Sequence, residues 1–320
     1  MKVDLELIQK LAELGPRKSF GFGLMEAARE RDNVVCIGAD LSGTCKTEEF
    51  RERYPDRFVN VGIAEQNMVG IGTGVAVCGK IAYCASFASF LSMRACEQIR
   101  TDAAYMNANV KLIAHDAGCT VGTQGYTHYA IEDLAITRAI PNMTVVSPSD
   151  GLSIAKMTIA IADYPGPVYM RLTGTRTPVV YETDYELKIG KANLLRDGTD
   201  VTIIATGSCV YNALQAGNEL SKEGISVRVL DMQTINPLDE DAVKRASEET
   251  RLILTVEEHG LIGGLGSAVS DVIAGLGQST RVVKLGLPNV FGPIADHVDQ
   301  MERYELDIKG IVANVKKNYK

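Results

Sequence analysis

Short apolar runs alternate with stretches of helical periodicity along the 320-residue chain, and this alternation limits the fold more than any other feature. The runs at 34–38 (VVCIG), 57–62 (RFVNVG), 80–86 (KIAYCAS), 109–116, 143–148 and 167–172 have the length and composition of strands covered on both faces. Between them, Ala95, Ile99, Ala103 and Met106 fall on one face of a helix over 94–107, and Ile154, Met157 and Ile161 do so over 150–162. Further helices are expected at the N-terminus (Leu7, Leu11 and Leu14 at helical spacing), at 18–31 and at 129–139. Residues 173–190, TGTRTPVVYETDYELKIG, interrupt the pattern and read as a domain boundary. It then resumes with strands at 200–206, 225–231, 251–257 and 281–287. The helices expected there are 208–223 (opened by Ser208 as N-cap), 239–249, 265–275 and 303–318. The reading is a two-domain α/β protein, each domain a mostly parallel sheet flanked by helices.

Composition excludes several classes. Hydrophobic residues at 46% and charged residues at 23% fit a soluble globular protein with full cores. The net charge of -7, with no like-charged run beyond the Lys-containing tail 316–320, argues against a nucleic-acid surface. No apolar run approaches the roughly 18–20 residues of a membrane span, and charges interrupt the N-terminal segment where a signal peptide would need an apolar core. Seven cysteines without a C-x-x-C pair read as free thiols in a reducing cytosol, so a cytoplasmic location is expected. The four histidines show no H-x-x-x-H or H-E-x-x-H pairing and no cysteine at ligand spacing, so no metal site is expected from local motifs.

In a parallel sheet the carboxyl ends of the strands share one edge, where ligands bind. Asp40, Glu65, Phe87 and His115 follow or close the first four strands, and His128 lies just beyond the Gly-rich stretch GCTVGTQGYTH. Each has an ordinary reading. Glu65 in a helix first turn complements the dipole, Phe87 and Phe90 suit a core, Asp40 suits a turn, and a histidine ending a strand is often bonded locally. Their convergence on one edge is what points to a site. Two glycine clusters carry less: GIGTG (70–74) reads as helix packing, and HGLIGGLGSAV (259–269) as a close-packed turn, with anion binding at the following helix as a minor option.

The blocks VGIAEQNMVGIGTGVA, SFASFLSMRACEQIR, DAGCTVGTQGYTHYAIEDLAITRAIPNMTVVSPSD and VTIIATGSCVYNALQA resemble the pyrimidine-binding and C-terminal domains of thiamine-diphosphate-dependent transketolases, over about residues 18–300. The resemblance implies a pyrimidine-binding domain over 1–180, including the N-terminal helix, and a transketolase C-terminal domain over 187–320. It implies that Glu65 hydrogen-bonds the pyrimidine nitrogen of thiamine diphosphate and so promotes loss of the thiazolium proton. Phe87 and Phe90 match the aromatic residues that pack on the pyrimidine, with Met93 at a third family aromatic, and Asp40 matches an Asp near the thiazolium. His115 and His128 match two histidines facing the sugar, as catalytic and substrate residues, and Gln124 takes the place of an Asp that reads a sugar hydroxyl.

Two departures shape the expectation. No GDG motif for a divalent metal and the diphosphate occurs. The chain therefore resembles the second subunit of a split transketolase, inactive alone and completed by a separately encoded N-terminal subunit, as α2β2, that holds Mg2+ or another divalent metal. Ser147 stands where many transketolases place an Arg for the substrate phosphate, leaving Arg94, Arg171, the partner or a different terminal group to serve. The expected reaction is two-carbon ketol transfer from a ketose, as its phosphate, to an aldose. A deoxyxylulose-phosphate-synthase-like protein, a 2-oxo acid dehydrogenase β subunit and a non-catalytic scaffold are the alternatives.

Overall fold

The computed structural model describes residues 1–176 and 178–319, and its strands pair into two sheets. The strands are β1 Val34–Gly38, β2 Phe58–Asn60, β3 Ile81–Phe87, β4 Val110–His115, β5 Thr144–Val146, β6 Val168–Arg171, β7 Asn193–Arg196, β8 Val201–Ala205, β9 Val227–Asp231, β10 Thr234–Asn236, β11 Leu252–Gly260 and β12 Arg281–Leu287. The first sheet runs β10-β5-β6-β4-β3-β1-β2 and the second β12-β11-β8-β9-β7. Both are parallel except for one antiparallel strand at an edge, β10 on β5 and β7 on β9. No helix among the described residues is long and apolar enough to cross a membrane.

These two edge strands are absent from the sequence reading. Both are short, and β10 belongs to the second half of the chain yet completes the first sheet. Three residues beside Pro237 carry no periodic signal, so only long-range pairing makes them a strand.

Helix positions follow the apolar pattern, while their ends depend on local chemistry. The leading segment is one run, Leu5–Glu30, broken at Gly15, whose φ of 74° precedes Pro16. The expected helix 129–139 shortens to Asp133–Arg138, because the backbone of Ala130 instead exchanges two hydrogen bonds with Gly118. Ser208 does not cap the helix Cys209–Lys222; its hydroxyl donates to Glu258 at 2.6 Å. The expected helix 303–318 begins only at Ile308 and runs to Asn318, capped by Asp307, which accepts from the Gly310 amide, and a separate helix His297–Arg303 precedes it. Over 90–104 the helix has two wide turns, with amides of Ala95 and Tyr105 bonding carbonyls five residues back. Each wide turn advances the phase, so Ala95, Ile99 and Ala103 are buried but Met106 is 54% exposed.

Both glycine clusters have physical explanations. In the helix Glu65–Val77, a Cβ on Gly72 would lie 2.5 Å from Cys84 Sγ of β3, while one on Gly74 would meet nothing. Packing therefore needs only the middle glycine. At the second cluster, the amides of Leu265 and Gly266 both donate to the buried carboxylate of Glu257, at 2.6 and 2.7 Å. This helix start already has its acceptor, supplied from β11.

Polar groups join the two sheets. Arg171, at the end of β6, is 1% exposed; its Nε donates to Asp133 at 2.8 Å and its Nη2 to the Glu258 carbonyl at 2.8 Å and the Ala130 carbonyl at 3.3 Å. Tyr169 donates to the same Asp133 oxygen at 3.0 Å. Asp231, at the end of β9, accepts from Ser149 and Tyr181 at 2.7 Å and from Gln233 at 2.9 Å. Asp150 caps the helix Gly151–Asp163 and also accepts from the amides of Val180 and Tyr181. The expected boundary segment is thus irregular but tied down.

Two substitutions test this packing. Gly72→Ala should destabilise the chain by about 1–3 kcal/mol, since its methyl group must displace the buried Cys84 side chain. Arg171→Ala should cost about 3–5 kcal/mol, because Asp133 remains buried without its cation. Urea denaturation followed by circular dichroism measures both, and a loss under about 1 kcal/mol for the arginine variant would contradict the assigned role.

Candidate active site

The carboxyl ends of β1, β3 and β4 lie side by side in register, with Gly38 opposite Ala85 and Phe87 opposite His115. The chain leaves β2 through Gly62, at φ 73°, and enters the helix that begins at Glu65. Glu65 is 1% exposed. Its Oε2 accepts from Arg94 Nη1 at 2.6 Å and its Oε1 from Ser86 Oγ at 3.3 Å. A buried carboxylate needs such partners, and the wide turn Phe90–Arg94 carries the arginine to it.

An aromatic wall adjoins this pair. The rings of Phe87 and Phe90 meet edge to face at 5.5 Å, and the His128 ring lies 5.5 Å from the first and 5.3 Å from the second. The guanidinium of Arg94 lies 4.4 Å from the Phe90 ring centre, within cation–π range. Glu65, Arg94, Phe90, Phe87 and His128 therefore form one continuous surface. His128 Nδ1 is 2.9 Å from Thr127 Oγ1, which orients its ring.

His115 is fully buried, edge-on to Phe20 at 5.1 Å, and neither ring nitrogen has a hydrogen-bond partner among the described residues. Burial, assisted by the nearby Arg17 charge, lowers its pKa to about 3, so the imidazole is neutral at ordinary pH. Asp40 lies at the same edge, exposed, with a φ of 61°. Asn60 at the end of β2 holds it, accepting from the Asp40 amide at 3.0 Å and donating to its carboxylate at 3.3 Å.

At Asp116, the residue after His115, lies a cleft of about 490 Å³ lined also by Arg17, Lys18, Lys46, Gln124 and His297, among others. Arg17 binds Asp116 through both carboxylate oxygens. Gln124 stands exposed in the turn Gly122–Thr127. The structure thus brings Gln124 to a cleft, but next to cations that sequence reasoning missed. Arg17, Lys18 and Lys46 sit in two separate segments of the chain, and nothing in their local spacing marks them.

Two expected substrate contacts are placed differently. Arg171 is enclosed between the sheets with its donors committed, so it is corrected from a candidate substrate residue to a structural one. Arg94 reaches the edge, but as the partner of Glu65. Ser147 is buried, with its carbonyl accepting from the Gly207 amide at 3.2 Å, and so lies in the seam with the second sheet.

An orphaned imidazole, a wall of two phenylalanines and a buried carboxylate fit a flat nitrogen heterocycle that stacks on rings and exchanges a proton. Comparison with known proteins agrees with that fit. Residues 13–178 match the family "Transketolase, pyrimidine binding domain" and residues 190–311 match "Transketolase, C-terminal domain". The chain is 40% identical over 296 residues to one of the subunits of the apulose-4-phosphate transketolase of Phocaeicola vulgatus, covering 92% of this chain and 94% of that one. It is 38% identical over 305 residues to 6-deoxy-6-sulfo-D-fructose transketolase subunit SqwH of a Clostridium species, covering 95% and 94%. A split-gene transketolase solved as an inactive β4 tetramer superposes with a TM-score of 0.86 at 38% identity, covering 95% of this chain and 97% of that one. The chain belongs to the transketolase family, as the C-terminal section found as a separate subunit in its split members.

Proposed function

We propose that this chain is the pyrimidine-binding half of a split transketolase that moves a two-carbon ketol unit from a ketose to an aldose, together with a separately encoded subunit holding the diphosphate and its divalent metal, Mg2+ or another. The observation that carries this reading is the buried Glu65 at the rim of the Phe87–Phe90 wall. Thiamine diphosphate would supply the electron sink for carbon–carbon cleavage. Glu65 would hold a proton at the pyrimidine nitrogen, and Phe87 and Phe90 would orient the ring by stacking. Arg94, already on Phe90 and Glu65, compensates the carboxylate before the cofactor arrives. Asp40, fixed by Asn60, is read as the carboxylate near the thiazolium.

His115 and His128 would meet the sugar. The unpartnered nitrogens of His115 and its neutrality support a role as hydrogen-bond donor and acceptor to a hydroxyl, and His128 stands on the aromatic wall where a proton can be passed. Gln124 would read a further hydroxyl. The cations of the adjacent cleft support a substrate with a terminal anion, a phosphate or a sulfonate, a task that Arg171 and Ser147 cannot take. An α2β2 assembly in the cytoplasm accords with this division of the site.

Ketol transfer from xylulose 5-phosphate to ribose 5-phosphate, with thiamine diphosphate and magnesium, is expected only when the subunit supplying the diphosphate site is added. In that mixture Glu65→Gln should lower turnover by about a hundredfold to ten-thousandfold, with thermal stability nearly unchanged because Arg94 is half exposed. Turnover equal to the parent would reduce Glu65 to a structural residue. Pyruvate decarboxylation without ketol transfer would move the reading to the 2-oxo acid dehydrogenases.

A further inference from the structure

Three side chains from distant parts of the chain converge where the segment after β4, the end of β11 and the start of the helix His297–Arg303 meet. One ligand atom each from Cys119, Glu258 and His297 lies within 4.8 Å of the other two. Cys119 Sγ is 3.5 Å from Glu258 Oε1, and His297 Nε2 is 3.2 Å from Glu258 Oε2. Around a tetrahedral zinc ion with bonds of about 2.0–2.3 Å, neighbouring ligand atoms stand roughly 3.3–3.8 Å apart. The cluster needs little movement to enclose such an ion.

Without an ion, His297 Nε2 and Glu258 Oε2 pair directly across 3.2 Å, so a cation bound there would take the place of the imidazole proton between them. The carboxylate is also held in place by its surroundings: Oε1 accepts from the Cys119 amide at 2.9 Å and Thr120 Oγ1 at 3.3 Å, and Oε2 from Ser208 Oγ at 2.6 Å. Hydrogen bonds of this kind orient metal ligands.

We propose that Cys119, Glu258 and His297 form a zinc-class cation site, with the fourth position turned toward the cleft that Thr120 and His297 line. A thiol, an imidazole and a carboxylate together favour zinc over magnesium, which prefers oxygen ligands alone. On binding, the Cys119 S–H bond and the Nε2–H bond of the His297 imidazolium paired with Glu258 break, both protons go to solvent, and the thiolate and the freed ring nitrogen form bonds to the metal. The ion would fasten the segment carrying Gln124 and His128 to β11 and to the chain that precedes the helix His297–Arg303. That chain already packs closely, since a Cβ on Gly122 would lie 2.1 Å from the Ala295 carbonyl oxygen. This site is separate from the divalent metal expected in the partner subunit and does not rest on the proposed reaction.

The test uses the full chain, incubated with zinc sulfate, desalted and assayed for zinc by mass spectrometry, with cobalt(II) as a spectroscopic probe. One zinc per chain should be retained in the presence of excess magnesium, and cobalt should show a thiolate charge-transfer band with tetrahedral ligand-field absorption. Cys119→Ser and His297→Gln, each shown to be folded by circular dichroism, should weaken zinc binding by about 100-fold or more. If either variant unfolds, the cobalt spectrum of the parent decides. No zinc retained by the folded parent, retention unchanged in both variants, or retention lost instead with Cys78→Ser at an exposed thiol would overturn the proposal.

Discussion

The buried ion pair between Asp133 and Arg171 fixes the relation of the two sheets, and the candidate site depends on that relation. Arg171 belongs to β6, Asp133 to the short helix that follows His128, and the carbonyl that Arg171 also bonds belongs to Glu258 of β11. The desolvation of both charges is offset only because each hydrogen bond is made to a fixed partner. Through it the segment 118–133 is held against both halves of the molecule. That segment carries Gln124 and His128, so the arginine's contribution to the site is positional.

At the edge itself, burial sets the state of His115 before any ligand arrives. His115 is kept neutral by its enclosure and by the Arg17 charge, whereas Glu65, equally enclosed, has Arg94 and Ser86 as partners. Two polar groups a strand apart thus have different environments, one without a hydrogen-bond partner among the described residues and one with a cation. The wide turn at Phe90–Arg94 matters here, because it sets the guanidinium on the Phe90 ring and within reach of Glu65.

Elements with strong periodicity were legible in the sequence. The ten strands of the expected alternation and the helices over 150–162 and 208–223 follow from burial on known faces, which a local pattern records. Elements made by pairing or by exceptional geometry were not. β7 and β10 exist because neighbouring strands offer unpaired edges, the helix over 129–139 is shortened by an exchange with Gly118, and Met106 leaves the buried face because the wide turn Ile99–Ala104 ends before it. For the site, Asp40, Glu65, Phe87 and His115 follow or close strands in the sequence pattern, and His128 was marked by the Gly-rich stretch before it. The cations Arg17, Lys18 and Lys46 were not legible, since they enter from segments that hold no site motif.

Periodicity and chain order act over a few residues, so the α/β architecture, the direction of the main strands and the edge at which the polar residues gather can be read along the chain. What each of those residues touches depends on long-range packing. Arg171 became a pin between sheets rather than an anion contact, and Glu257 filled the helix start named as a minor anion-binding option. Cys119 met Glu258 across 139 residues of chain, with His297 beside them. Contacts of that kind follow from the packing of one sheet on another, which no spacing along the chain records.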